Sequence, residues 1–174
     1  SAAAELRSQC DRDLIFGNWV QRNTHEHRAP GYRIVTISLK ATGYAPGDIT
    51  AEQLELVADL ADQYSFGEIR STHQQNLVLG DVQTSSLHAL WQRLQAAGLA
   101  TANIGYLTDI ICCPGGDYCS LANAKSLPVA EAIQARFDDL DYIYDLGPLE
   151  LNISGCMNAC GHHHIGNIGI LGVD

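Results

Sequence analysis

Apolar and polar positions along the chain change period several times, and each change marks an element. Residues 32–39 (YRIVTISL) are rich in β-branched and apolar side chains in near alternation, which predicts a strand. Thr50 and Gln53 form a capping box, and Leu54, Val57, Ala58 and Ala61 then recur at helical spacing to about residue 63. Residues 68–72 and 77–79 read as two short strands. Leu87, Leu90, Trp91 and Leu94 form the stripe of a second helix that ends near Gly98. The order β-α-β-β-α predicts an α+β protein whose residues 31–100 form a ferredoxin-like half-domain. Residues 1–30 are mixed and polar, with Phe16 and Trp19 as large anchors, and read as an N-terminal linker or arm.

Beyond Gly98 the texture changes, and residues 101–174 read as a separate domain. An apolar run from residue 110 breaks into Cys113-Pro-Gly-Gly116. Ser126-Leu-Pro128 starts a helix with Val129, Ala132, Ile133 and Phe137 on one face; Pro128 suits an early position, where a missing N–H costs nothing. Residues 138–145 read as an acidic loop, and residues 149–153 and 168–173 as strands.

Composition narrows the function classes. Of 174 residues, 46% are apolar, so a packed core is expected and wholesale disorder is excluded. The formal charge of −10 argues against nucleic acid, whose phosphates need clustered Lys and Arg, and against an anionic membrane surface. Residues 88–174 hold only three cations (Arg93, Lys125 and Arg136) against nine anions, together with five of the six cysteines. No apolar run approaches the ~18 residues of a membrane span. The opening SAAAE shows no secretory leader, and thiol chemistry without one predicts a cytoplasmic protein. An initial Ser and a strand pattern that stops at residue 174 suggest a piece of a longer chain, one with exposed sheet edges and a tendency to self-associate.

The chemistry concentrates in two cysteine pairs, Cys113-x5-Cys119 and Cys156-x3-Cys160, each set among glycines. Glycines let a backbone approach a bulky inorganic group and leave N–H groups free to face sulfur. An iron–sulfur cluster fits both pairs, whereas structural zinc prefers C-x2–4-C and suits only the second. Disulfides or inert buried cysteines remain alternatives at this point. Cys112 and Cys10 read as bystanders, and His162, His163 and His164 splay too widely to share one ion.

The run from Cys112-Cys113-Pro-Gly-Gly-Asp-Tyr-Cys119 to Lys125, followed by Ser154-Gly-Cys156-Met-Asn-Ala-Cys160-Gly-His-His-His164, resembles the sirohaem-dependent nitrite and sulfite reductases. The resemblance continues upstream through residues 32–39 and through Arg70-Ser-Thr72-His-Gln-Gln75-Asn76-Leu77, and so covers about residues 19–174. It implies that the half-domain is followed by part of the family's α/β cluster-binding domain. It also implies a 4Fe–4S cluster on Cys113, Cys119, Cys156 and Cys160, with the Cys160 thiolate shared with the sirohaem iron and therefore catalytic. Asn158, Thr72, Gln75 and Asn76 would contact the sirohaem. The reaction implied is six-electron reduction of sulfite to sulfide, as in sulfur assimilation, or of nitrite to ammonia. Ferredoxin or a flavoprotein subunit would donate the electrons.

The same resemblance marks what is missing. Family members contain two related halves, and this sequence matches the second. The cations that hold an anionic substrate come mainly from the first half; Gln74 stands where the related motif of that half has an arginine. The isolated chain is therefore expected to be inactive alone. The competing expectation is a non-catalytic interaction module, empty of cofactor or holding only a metal or iron–sulfur site.

Overall fold

The structure, a computed structural model, describes residues 2–173. They divide into two compact units, residues 2–39 with 49–104 and residues 40–48 with 105–173.

The first unit opens with α1 (Ala2–Arg12) and α2 (Leu14–Asn23), so the segment expected to be an arm is helical. Asp13 is the reason α2 starts where it does: its carboxylate accepts the N–H groups of Ile15 and Phe16. Phe16, Trp19, Val20 and Asn23 then fall on one buried face at helical spacing. A four-stranded sheet follows, built from β1 (Thr24–Glu26), β2 (Tyr32–Ile37), β3 (Arg70–Ser71) and β4 (Leu77–Gln83) in the order β1-β2-β4-β3. All its pairings are antiparallel; Val35 faces Leu79 and Ile37 faces Leu77 across the central pair. The strand β1, absent from the sequence reading, completes the sheet on the far side of β2.

Two helices complete the ferredoxin-like arrangement, α3 (Ala51–Tyr64) and α4 (Leu87–Ala96). The capping box is formed: Thr50 Oγ1 accepts the Gln53 N–H, and the Gln53 carboxamide accepts the Thr50 N–H. Val57 and Leu60 of α3, and Leu87, Leu90 and Leu94 of α4, are fully buried with Phe16, Trp19, Val35, Ile37 and Leu79 in one core.

The second unit has its own core of Leu107, Ile110, Cys112, Ala130, Ile143, Leu151 and Ile153. Its sheet is parallel, β5 (Ile111–Cys112), β6 (Leu151–Ser154) and β7 (Ile168–Leu171), in the order β5-β6-β7. Parallel neighbours need a long crossover, and α5 (Leu127–Arg136) and α6 (Leu140–Leu146) supply it between β5 and β6. The stretch expected to be an acidic loop is largely α6. Asp139 caps it by accepting the N–H groups of Asp141 and Tyr142, acids suit its first turn, and Ile143 anchors it in the core.

Candidate functional site

Both cysteine pairs emerge from the C-terminal ends of adjacent parallel strands. Cys113 directly follows β5, and its N–H extends the pairing by donating to the Ile153 carbonyl at 3.1 Å. Cys156 follows β6 after a single glycine. In open α/β sheets, ligands bind in the crevice outside the carboxyl ends of such strands.

The two loops are laced together by backbone hydrogen bonds. Gly116 N–H donates to the Ala124 carbonyl, and the N–H groups of Asn123 and Ala124 both donate to the Gly155 carbonyl, at 2.9 and 3.1 Å. Gly115, at φ +62°, turns the first loop, and Cys119 N–H closes it on the Gly115 carbonyl at 2.9 Å. The second pair is set by a tight turn in which Ala159 N–H reaches the Cys156 carbonyl, with Ala159 and His162 both left-handed at φ +57° and +52°. Gly161 is required by close approach: a Cβ there would lie 1.9 Å from the Ile153 carbonyl oxygen.

These loops present the four sulfurs differently. Cys113 and Cys156 are buried, Cys119 is half-buried and Cys160 is exposed; among the described residues no cysteine is in a disulfide. Cys113 Sγ accepts the Gly155 N–H at 3.0 Å and lies 3.5 Å from Ser126 Oγ. Asn158 is exposed on the turn between Cys156 and Cys160. Tyr118, Leu121, Met157 and Ile165, all on the cysteine loops, expose between 66 and 86% of their surface, so these loops offer an apolar rim. His163 keeps a buried Nδ1 without a hydrogen-bond partner, and the His164 ring packs edge-on against it at 5.5 Å and lies 6.3 Å from the ring of His162, so the three rings cluster rather than splay.

Among the described residues no three or more His, Cys, Asp or Glu side chains converge tightly enough to hold one metal ion. A cubane cluster makes a different demand, since each thiolate attaches to its own iron and the sulfurs stand farther apart. Four thiols on glycine-built turns, behind which an added Cβ at Gly115 or Gly155 would strike backbone atoms, suit such a cluster.

Thr72, Gln75 and Asn76 belong to the first unit, in the turn from β3 to β4. Thr72 Oγ1 accepts the Asn76 N–H, and the Asn76 carboxamide oxygen accepts the Leu39 N–H. Asn76 is thus buried as a brace for the turn. Gln75 sits at its apex with φ +59°.

Sequence reasoning passed over a buried ion pair in the second unit. Lys40 Nζ lies 3.1 Å from Asp109 Oδ1, and Asp109 Oδ2 accepts the Gly105 N–H. Burial pushes the Lys40 pKa down, with Asp109 opposing it. The adjacent Cys112 thiol is pushed up to about 12 by burial first and by Cys113 second, while Lys40 pulls it down. The signal was present only as a lone Lys at the end of a strand pattern and a lone Asp before an apolar run.

Residues 25–97 match the family described as the nitrite/sulfite reductase ferredoxin-like half domain. Sulfite reductase (ferredoxin) 2 of Mycolicibacterium paratuberculosis is 30% identical over 167 residues, which is 92% of this chain and 30% of that protein. The chloroplastic ferredoxin–nitrite reductase of Zea mays is 28% identical over 176 residues, 96% of this chain and 29% of that one. The chain thus spans about 30% of the length of such relatives. Among solved structures, the Mycobacterium tuberculosis NirA protein superimposes with a TM-score of 0.65 at 27% identity, over 83% of this chain and 26% of that one. Dissimilatory sulfite reductase I shares the fold at a TM-score of 0.54 and 17% identity, over 74% of this chain and 30% of that one. A half-domain matched from β1 through α4, together with relatives aligned along nine-tenths of the sequence, makes this chain a member of the nitrite/sulfite reductase family, whose enzymes carry sirohaem and iron–sulfur clusters.

Proposed function

We propose that this chain is the cluster-bearing part of an enzyme that reduces sulfite to sulfide or nitrite to ammonia with six electrons. Cys113, Cys119, Cys156 and Cys160 would hold a 4Fe–4S cluster, and the Cys160 thiolate would be shared with the sirohaem iron. The observation that carries this reading is the origin of both cysteine pairs at the C-terminal ends of β5 and β6, with the two loops hydrogen-bonded to each other. Exposure supports the division of labour: the buried sulfurs of Cys113 and Cys156 suit ligands facing protein, and the exposed Cys160 suits the one that reaches a second group.

When bound, cluster and sirohaem would supply the electrons and the iron that takes the substrate's sulfur or nitrogen atom. The chain's own part is to bind and orient. Asn158, exposed beside Cys160, would contact the macrocycle, and the rim formed by Tyr118, Leu121, Met157 and Ile165 would exclude water from its apolar face. Thr72 and Gln75 would lie along the sirohaem, with Asn76 contributing through the turn that it braces. The relatives named as ferredoxin-dependent favour ferredoxin over a flavoprotein subunit as donor. The first half of the same enzyme would complete the substrate site. No helix of the described residues is long and apolar enough to cross a membrane; a cytoplasmic setting is proposed on the thiol chemistry.

Anaerobic reconstitution tests the reading. Iron and acid-labile sulfide should each reach about four per chain, with charge-transfer absorption in the visible. Replacing Cys156 by Ser should abolish the cluster, and replacing Cys160 by Ser should abolish electronic coupling between cluster and sirohaem. Zinc without sulfide, or a chain that takes up neither cofactor, would favour a non-catalytic interaction module instead.

A further inference from the structure

Ser126 stands at the N-cap of α5, a position where serine ordinarily accepts a backbone N–H from the helix's first turn. Here it makes no capping hydrogen bond among the described residues. Its hydroxyl is instead 3.5 Å from Cys113 Sγ, and both residues are buried, at 2% and 8% exposure. The arrangement is built rather than incidental. The Ala124 carbonyl is held by Gly116 N–H, and Asn123 and Ala124 are held to the Gly155 carbonyl, so the chain leading into Ser126 is fixed on two sides. Gly115 and Gly155 press against the same spot: a Cβ on Gly115 would lie 2.6 Å from Ser126 Oγ, and one on Gly155 would lie 2.8 Å from it. Gly155 also donates its own N–H to Cys113 Sγ.

A cluster ligand is a thiolate, which has no proton to give, so the hydroxyl must be the donor in that state. Together with the Gly155 N–H, it would place two donors on one buried sulfur. We propose that Ser126 is a positioning residue that tunes the cluster by hydrogen-bonding the Cys113 thiolate and thereby raises its reduction potential. The inference rests on the cluster reading above. The physical cause is charge: thiolates make the oxidised assembly anionic, an added electron makes it more so, and a donor at the sulfur stabilises the more negative state. The step is a single electron transfer from an external one-electron reductant; no bond forms or breaks, and the proton stays on the serine oxygen.

The test is a mediated redox titration of the anaerobically reconstituted chain with dithionite, followed by visible absorption. Ser126→Ala should shift the midpoint to a more negative potential and raise the iron–thiolate stretching frequency in resonance Raman. Ser126→Thr, which keeps the hydroxyl, should restore both toward wild type. Because Ser126 does not cap α5, circular dichroism should show the helix intact in both variants. A cluster that assembles in Ser126→Ala with an unchanged midpoint and unchanged stretch would overturn this inference and leave the cluster reading standing. Equal shifts in Ser126→Ala and Ser126→Thr would also overturn it, since packing would then be the cause. A wild-type chain that assembles no cluster would overturn both.

Discussion

Lys40 and Asp109 are 69 positions apart, yet the fold buries both and sets their charges 3.1 Å apart. A buried pair adds little net stability when intact, but removing one partner strands the other charge without solvent. Lys40→Met should therefore cost the second unit about 3–5 kcal/mol in chemical denaturation, and adding Asp109→Leu to it should recover most of that. An additive double variant would show that the two residues do not act as a pair. Cys112, beside them, gives a pH dependence of known sign. Its folded pKa of about 12 lies above the ordinary 9.0, so the folded state holds the thiol proton more tightly than the unfolded chain does. That contribution is complete below pH 9 and is lost as pH rises through the folded value, so wild type should lose stability between about pH 9 and 11 more steeply than Cys112→Ala. Lys40 works in the opposite sense, because its folded pKa is lowered and its deprotonation relieves a burial cost as pH rises toward 10.5. At this scale, local spacing showed the candidate ligands in the sequence, since each pair lies within one loop. It could not show Lys40 with Asp109, or Ser126 with Cys113, because those pairings exist only once β5, β6 and the start of α5 are folded.

Elements were legible where a stripe and a signal agreed. The helix α3 has both its capping box and an apolar period, and it begins one residue after the expected cap. The pattern at residues 32–39 became β2, two residues shorter, and the run at 77–79 lengthened into β4 because the strand pairs with β2 along most of its length. The N-terminal helices were missed for a physical reason. Leu14 and Ile15 are 75% and 66% exposed, which blurs the period that Phe16, Trp19 and Val20 would otherwise show, and α1 has no buried residue. Asp13 was the available signal. The caps give a prediction confined to one unit: Thr50→Ala and Asp13→Ala should each destabilise the first unit by about 1 kcal/mol and leave the second unchanged. Hydrogen exchange, read separately on α2, α3 and β6, checks this; equal loss of protection in β6 would refute it. Gly161→Ala is the converse case. Its Cβ would collide with the Ile153 carbonyl, so the turn carrying Cys160 should shift off β6 and lower protection there by about 2 kcal/mol, with α3 unaffected.

For the whole chain, the formal charge of −10 turns from a filter on partners into an argument about what the second unit can do. That unit holds three cations, Lys40, Lys125 and Arg136, against ten acids. Lys40 is sealed against Asp109, and Lys125 is bound to Asp117 at 2.7 Å, where both sit on the first cysteine loop and its exit. Arg136 lies in the last turn of α5, ten residues beyond Ser126. In the first unit, Arg12 and Arg70 are engaged by Glu5 and Glu68, and Arg33 by Thr24. On the proposed reading the substrate, sulfite or nitrite, is an anion, cluster thiolates would add further negative charge, and shedding oxygen would need positive groups placed where charge develops. A chain that spans about 30% of its relatives, and whose second unit has two of its three cations already paired with acids, should load cofactor without turning over substrate. With cluster and sirohaem established by spectrum and a reduced viologen as donor, sulfite and nitrite reduction by the chain alone should fall at least about 100-fold below the rate with the first half supplied in trans. Lys125→Ala should leave both rates unchanged, because its ammonium already serves Asp117. Turnover by the chain alone that matches the complemented rate would mean that the polarising groups lie within these 174 residues, and Arg93, Lys125 and Arg136 would then be the first to replace.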